Sequence, residues 1–177
     1  MITLVLGGAR SGKSELAEAL VARHGTPVTY VATIDPTGDP ELEAKVAAHR
    51  ARRDRSWVTV LVGEGDDDLA ALLGRLPGTV LVDSLGPWVA RCGDGPARDC
   101  EGDARAAALC AALRQRAGDT VLVSDEVGLA VHPSSAAGRA FRDALGALNH
   151  ALSAVADKVY LVVAGRPLEL PPAGPPP

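Results

Sequence analysis

The run Gly7-Gly8-Ala9-Arg10-Ser11-Gly12-Lys13-Ser14 constrains the fold more than any other stretch of the chain. It satisfies the pattern G-x-x-x-x-G-K-[ST], with the apolar segment Ile2-Thr3-Leu4-Val5-Leu6 before it. A helical repeat of Leu16, Ala17, Leu20 and Val21 follows. Strand, glycine-rich loop and helix in that order make a phosphate-binding loop. The glycines let successive backbone N–H groups turn inward toward phosphate oxygens, and the helix start adds its positive dipole end. Lys13 is then placed to reach the outer phosphates, and the Ser14 hydroxyl to ligate Mg²⁺. A nucleoside triphosphate is the expected ligand.

The rest of the chain alternates strand and helix signals. Pro27 to Thr33 and Trp57 to Val62 read as strands, and Thr79 to Asp83 as a buried parallel strand ending in an acid. Thr120 to Ser124 and Lys158 to Ala164 complete the strand set. Asp39-Pro40-Glu41 opens a helix reaching about Arg53, with an N-cap, a first-position proline and an early carboxylate. Asp66-Asp67-Asp68 caps a short helix through Leu73, an acidic run better explained by the helix start than by a metal. Another helix runs from about Asp103 to Arg116, and the longest, 137 to 155, carries Phe141, Leu145, Leu148, Leu152 and Val155 on one stripe. This alternation predicts a single α/β domain over 1–168 with a mainly parallel central sheet. The proline-dominated stretch 169–177 is expected to be a disordered tail.

Composition narrows the function classes. The chain has 177 residues, enough for one domain with a proper core, and a net charge of −4 that argues against nucleic acid as a partner. Cys92, Cys100 and Cys110 are odd in number and too widely spaced for a zinc knuckle, so reduced thiols are expected, with Cys110 in the core. No signal peptide and no apolar run near the roughly 20 residues of a membrane span is visible, so a cytoplasmic protein is expected.

In sheets of this type ligands sit beyond the C-terminal strand ends. Thr33 and its loop, Asp83, and Asp125 with Glu126 join the phosphate loop there. Asp83 has the features of a second Mg²⁺ holder, or else caps the helix after Ser84. Glu126 is a candidate for orienting substrate or acting as a base, or else a loop carboxylate satisfying backbone donors. A lone histidine beside an apolar stripe is by default a packing residue. His49, however, sits among Lys45, Arg50, Arg52 and Arg53, cations suited to phosphates. A neutral imidazole is a competent nucleophile toward phosphorus, and neighbouring cations would keep it unprotonated.

In this order the motifs resemble one family. Gly7–Ser14, Tyr30-Val31-Ala32-Thr33, His49-x-x-x-Arg53 with Trp57 beyond it, and Leu81-Val82-Asp83-Ser84-Leu85 carry the first half of the likeness. Val123-Ser124-Asp125-Glu126-Val127-Gly128, Phe141-Arg142-Asp143, Asn149 and Val159 to Gly165 carry the second. Together they are similar to the bifunctional adenosylcobinamide kinase / adenosylcobinamide-phosphate guanylyltransferases (the CobU/CobP family). The resemblance implies a RecA-like P-loop sheet and two reactions of cobalamin assembly. ATP or GTP phosphorylates adenosylcobinamide; GTP then places GMP on an enzyme histidine, by position His49, and adenosylcobinamide phosphate takes it up. It further implies nucleotide contacts from Gly7, Gly8, Ala9, Arg10, Ser11, Gly12, Lys13 and Ser14, from Thr33, Ile34 and Asp35, from Arg50, Ala51, Arg52 and Arg53, and from Asp83. A homo-oligomer, a trimer, is also implied. The chain departs from the family pattern at Leu61, where a glutamate is usual, at Arg53-Asp54 in place of Arg-Pro, and at Asp125 in place of asparagine. Two other readings stay open: a P-loop small-molecule kinase without guanylyl transfer, and a nucleotide-binding regulatory protein that has lost catalysis.

Overall fold

The computed structural model describes residues 1–24, 27–62, 68–91 and 102–172. Its strands are β1 (Ile2–Gly7), β2 (Val28–Ala32), β3 (Val58–Leu61), β4 (Thr79–Asp83), β5 (Thr120–Asp125), β6 (Lys158–Val163) and β7 (Arg166–Leu170). The helices are α1 (Lys13–Val21), α2 (Pro40–Arg52), α3 (Leu69–Arg75), α4 (Leu85–Ala90), α5 (Gly102–Gln115) and α6 (Ala136–Ser153). One sheet forms in the order β3-β2-β4-β5-β1-β6-β7, parallel throughout except where β7 pairs with β6. β5 thus lies between the P-loop strand β1 and the Asp83 strand β4, with β6 on the other flank of β1. This is the expected α/β arrangement with a mainly parallel central sheet.

The near-continuous apolar runs of β1, β4 and β5 are explained by burial on both faces. Successive side chains alternate between two cores. Leu4, Leu6, Val80, Val82 and Leu122 face helices α3 to α6, meeting Leu73, Leu85, Leu109 and the α6 stripe Leu145, Leu148 and Leu152. Val5, Leu81, Val121 and Val123 face Ala17 and Val21 of α1. The result is three layers, helix on sheet on helix. Cys110 is buried and unpaired by disulfide, while Cys92 and Cys100 lie outside the described residues, as do Asp66 and Asp67. Asp68 accepts from Trp88 Nε1 at 3.2 Å and pairs with Arg105 at 3.3 Å, tying the start of α3 to α4 and α5. Among the described residues no helix is long and apolar enough to cross a membrane.

One expectation needs correction at the C-terminal end. The tail was predicted to begin at 169, yet Glu169 and Leu170 belong to β7 and pair with Tyr160 and Val159. Ala164 and Gly165 both take positive φ, 50° and 76°, which makes a tight turn whose twist suits a hairpin. Pro167 is tolerated because β7 is an edge strand. Residues 173–177 lie outside the described residues.

Strand register gathers the candidate residues. Gly7 stands opposite Asp125, and Ala32 opposite both Asp83 and Leu61. The P-loop, the loop after β2, Asp83 and Asp125 therefore all leave the sheet at one edge, where a ligand of this fold sits.

Candidate active site

β1 ends at Gly7, where an added Cβ would lie 2.9 Å from the Val162 carbonyl oxygen. Gly12 caps α1 with φ 94°, a left-handed conformation that glycine adopts without steric cost. Behind the loop, Gly165 N–H donates to the Ser11 carbonyl at 2.8 Å, so the β6–β7 turn braces it. The loop's two key side chains are both engaged. Lys13 Nζ donates to the Gly8 carbonyl at 3.2 Å and pairs with Asp125 Oδ1 at 2.8 Å. Ser14 Oγ donates to Asp83 Oδ1 at 3.2 Å.

Asp83 is held from a second side. The Tyr30 hydroxyl donates to Asp83 Oδ2 at 3.1 Å and lies 3.3 Å from the Asp83 carbonyl oxygen. Burial, reinforced by the neighbouring Asp83 carboxylate, pushes the Tyr30 phenol well above its ordinary range, so it stays a donor. A hydroxyl and a carboxylate oxygen side by side are the hard donors Mg²⁺ takes, with its other positions left to phosphate and water. Ser14 and Asp83 fit that ion.

His49 lies in the last turn of α2, half-buried. Its Nδ1 is 3.3 Å from Arg52 Nη2. A guanidinium can only donate, so Nδ1 accepts and the neutral ring carries its proton on Nε2. Arg52 also approaches Glu15 and Glu18 of α1 at 3.5 and 3.6 Å, which draws the His49 turn toward the start of α1. The His49 pKa lies below its ordinary value, as the sequence implied, but the leading cause differs. Burial contributes most and the Arg52 and Arg53 charges add to it, while Asp83 and Glu15 oppose.

Other predicted positions fall less simply. Arg53 was placed among the nucleotide contacts, but its side chain is only 6% exposed. It stacks 3.1 Å from the Tyr30 ring centroid, near Glu18 at 3.7 Å, so its guanidinium is committed inside the protein. Arg50 and Ala51 are exposed, as is Arg10 in the loop. Thr33 is fully buried and its hydroxyl donates to the Ser84 carbonyl. Ile34 is half-buried, and Asp35 is exposed with its carboxylate accepting from Thr37 N and Oγ1 at 3.0 and 2.6 Å. Those bonds hold Asp35 below the usual carboxylate range.

Glu126, the candidate base, turns back on its own loop, where Oε1 accepts from Gly128 N at 2.8 Å. The carboxylate at the phosphate loop is that of Asp125. Asn149 Nδ2 anchors the Asp125 carbonyl at 3.1 Å, and a Cβ on Gly86 would come within 2.8 Å of Asp125 Oδ2, so a glycine leaves room for this acid. Tyr30 and Gly86 are the residues sequence reading left without a role, and Asp125 was placed at the site without a partner. The signal for Asp125 was present: like Asp83, it ends a continuous apolar strand.

The chain is similar to known proteins along nearly its whole length. The chain is 40% identical over 179 residues to the bifunctional adenosylcobalamin biosynthesis protein CobP of Pseudomonas aeruginosa, covering 96% of this chain and 97% of that protein. It is 34% identical to the bifunctional adenosylcobalamin biosynthesis protein CobU of Escherichia coli, covering 93% and 97%. Among solved structures, flagellar accessory protein FlaH from Methanocaldococcus jannaschii is similar at 12% identity and a TM-score of 0.48, over 95% of this chain and 75% of that one. Residues 3–170 match the cobinamide kinase / cobinamide phosphate guanyltransferase family. With nearly its full length matched and a phosphate loop at the sheet edge, the chain belongs to that family.

Proposed function

We propose that this protein phosphorylates adenosylcobinamide with ATP or GTP and then converts the phosphate to adenosylcobinamide-GDP through a guanylylated His49. In the first reaction the aminopropanol hydroxyl attacks the γ-phosphorus, the β–γ P–O bond breaks, ADP or GDP leaves and the hydroxyl proton passes to solvent, while the Lys13 ammonium balances charge on the outer phosphates. In the second, an imidazole nitrogen of His49 attacks the α-phosphorus of GTP. A P–N bond forms, the α–β P–O bond breaks, and pyrophosphate leaves. A phosphate oxygen of the cobinamide phosphate then attacks the same phosphorus and returns the electron pair to nitrogen. Mg²⁺ would be held by Ser14 and Asp83 together with the phosphates, where it neutralises charge on the triphosphate. Since Arg52 occupies Nδ1, it must swing to the incoming phosphates before that lone pair can react.

The observation that carries this reading is a half-buried His49, within electrostatic reach of Asp83, beside an intact phosphate loop. A kinase alone has no use for such a histidine. Charge and the lack of a visible signal peptide support a cytoplasmic enzyme without a nucleic-acid partner, and the family likeness supports a homo-oligomer, a trimer. Leu129 and Val131, 82% and 93% exposed, give such an assembly apolar surface to cover. The test is anion-exchange separation of the products from adenosylcobinamide, ATP and GTP. Adenosylcobinamide phosphate followed by adenosylcobinamide-GDP is expected. Phosphate alone would leave a simple kinase, and no product would leave a nucleotide-binding protein.

Asp125 sets a second expectation. Lys13 reaches the phosphates only by giving up a partner 2.8 Å away, and the carboxylate left behind repels them. One charge about 6 Å from a phosphate, at an effective dielectric near 40, changes affinity roughly tenfold. Asp125→Asn should therefore tighten binding of a fluorescent ATP analogue about tenfold with a chelator present. Unchanged or weaker binding would show that Lys13 need not leave Asp125.

A further inference from the structure

A part-buried chain of contacts leads from the cation site at Ser14 to the residue that follows the His49 turn. Asp83 divides its carboxylate between Ser14, on Oδ1 at 3.2 Å, and Tyr30, on Oδ2 at 3.1 Å. The Tyr30 ring, only 5% exposed, carries the Arg53 guanidinium on its face at 3.1 Å from the centroid. Arg53 directly follows the last turn of α2, the turn that carries His49, and its N–H donates to the Arg50 carbonyl at 3.3 Å. Apart from the Arg52 contacts with Glu15 and Glu18, the rest of that turn has little to hold it, since Ala47, Ala48, Arg50 and Ala51 are all exposed.

The arrangement is poor as a device for stability. Arg53 Nε and Glu18 Oε1 are buried facing each other at 3.7 Å, too far for a hydrogen bond, and neither makes a hydrogen bond to any other described residue. Burying a charge costs several kcal/mol, and an apolar pair of similar size would do at least as well. Departures from packing rules of this kind concentrate where function requires them. What the stack secures is geometry, because a planar cation fits over a ring face in a way an ammonium does not.

Building on the proposed function, we propose that Tyr30 and Arg53 are positioning residues joining its two halves. Tyr30 fixes the orientation of the Asp83 carboxylate toward the cation site at Ser14. Arg53, stacked on Tyr30, ties the His49 turn to the same carboxylate. Neither residue touches the reacting atoms.

The test uses Mn²⁺ as a probe, its binding to the protein with a non-hydrolysable ATP analogue read by electron paramagnetic resonance. Tyr30→Phe keeps the ring and removes only the hydroxyl. It should weaken Mn²⁺ binding about tenfold, the usual effect of removing a group that orients a metal ligand. Binding of the analogue in chelator should stay within about twofold of the unsubstituted protein. Arg53→Lys keeps a charge beside Glu18 but loses the planar stack. It should speed amide hydrogen exchange in the turn 49–53 about tenfold and weaken Mn²⁺ in the same direction. If both variants bind Mn²⁺ as the unsubstituted protein does, and the turn exchanges no faster, Tyr30 and Arg53 are packing residues and the proposal is wrong. If the unsubstituted protein forms neither cobinamide product, the proposed function fails, while the Mn²⁺ comparison still decides this inference on its own.

Discussion

Replacing His49 with alanine should leave no label on the protein after incubation with GTP carrying ³²P at the α-phosphate. The unsubstituted protein should carry label that is lost in acid and kept in base, the stability of a P–N bond. No other described histidine is placed to substitute. His24 pairs with Asp119 at 2.9 Å, and His132 lies 2.8 Å from Arg142 Nη1 beyond the loop that follows β5. His150 is exposed on α6. Formation of adenosylcobinamide-GDP should fall by at least about three orders of magnitude, since loss of a nucleophile removes the whole covalent route. Phosphorylation of adenosylcobinamide should continue, because that step needs Lys13, Ser14 and Asp83 instead. Label that survives in the His49→Ala protein would remove His49 from the mechanism. The pH profile adds a second check. Burial sets the His49 pKa below the ordinary value of about 6.5, so more acid is needed to protonate it. Labelling should therefore hold its plateau as pH falls from 8 through about 6.5 and decline only below that. A decline centred above 6.5 would mean that an acid, not burial, controls the ring.

The parts of this site that could be read in the sequence were those fixed by local chemistry. Gly12 is needed because α1 starts from a left-handed residue, and Asp83 stands out because an apolar strand ends on a charge. Both constraints act within a few residues. The contacts that organise the site do not. Tyr30 meets a carboxylate 53 residues away, and Ser14 meets the same group at a separation of 69. No local pattern shows that a tyrosine in a buried strand will be capped by an arginine, so Arg53 read as one more phosphate-binding cation. Glu126 and Asp125 were equally acidic in sequence. Strand register decided between them, because pairing with Gly7 puts Asp125 at the phosphate loop, and the glutamate after it closes its own turn. β7 was hidden for a different reason. Its Pro167 argues against a central strand, and only the edge position makes it acceptable.

Lys13→Ala should abolish phosphorylation of adenosylcobinamide, lowering turnover by about a thousandfold. The loss has two sources that a second substitution can separate. Without the ammonium, nothing balances the charge that spreads over the transferring phosphoryl group. Asp125 is also left as an unpaired carboxylate at the mouth of the loop, where it opposes the triphosphate itself. In the double variant Lys13→Ala/Asp125→Asn the repulsion is gone, and nucleotide binding should recover by roughly tenfold. Turnover at saturating nucleotide should not recover, because the transition-state charge still lacks its partner. Recovery of turnover along with binding would assign Lys13 to anchoring alone. The same pair of variants asks whether one loop serves both reactions. If GTP is held by this loop while its α-phosphorus faces His49, Lys13→Ala should cut α-phosphate labelling together with kinase turnover, and Asp125→Asn should restore part of the labelling. Labelling untouched by Lys13→Ala would require a second nucleotide site, with its own cations to hold the leaving pyrophosphate; the exposed Arg50 is the first to examine.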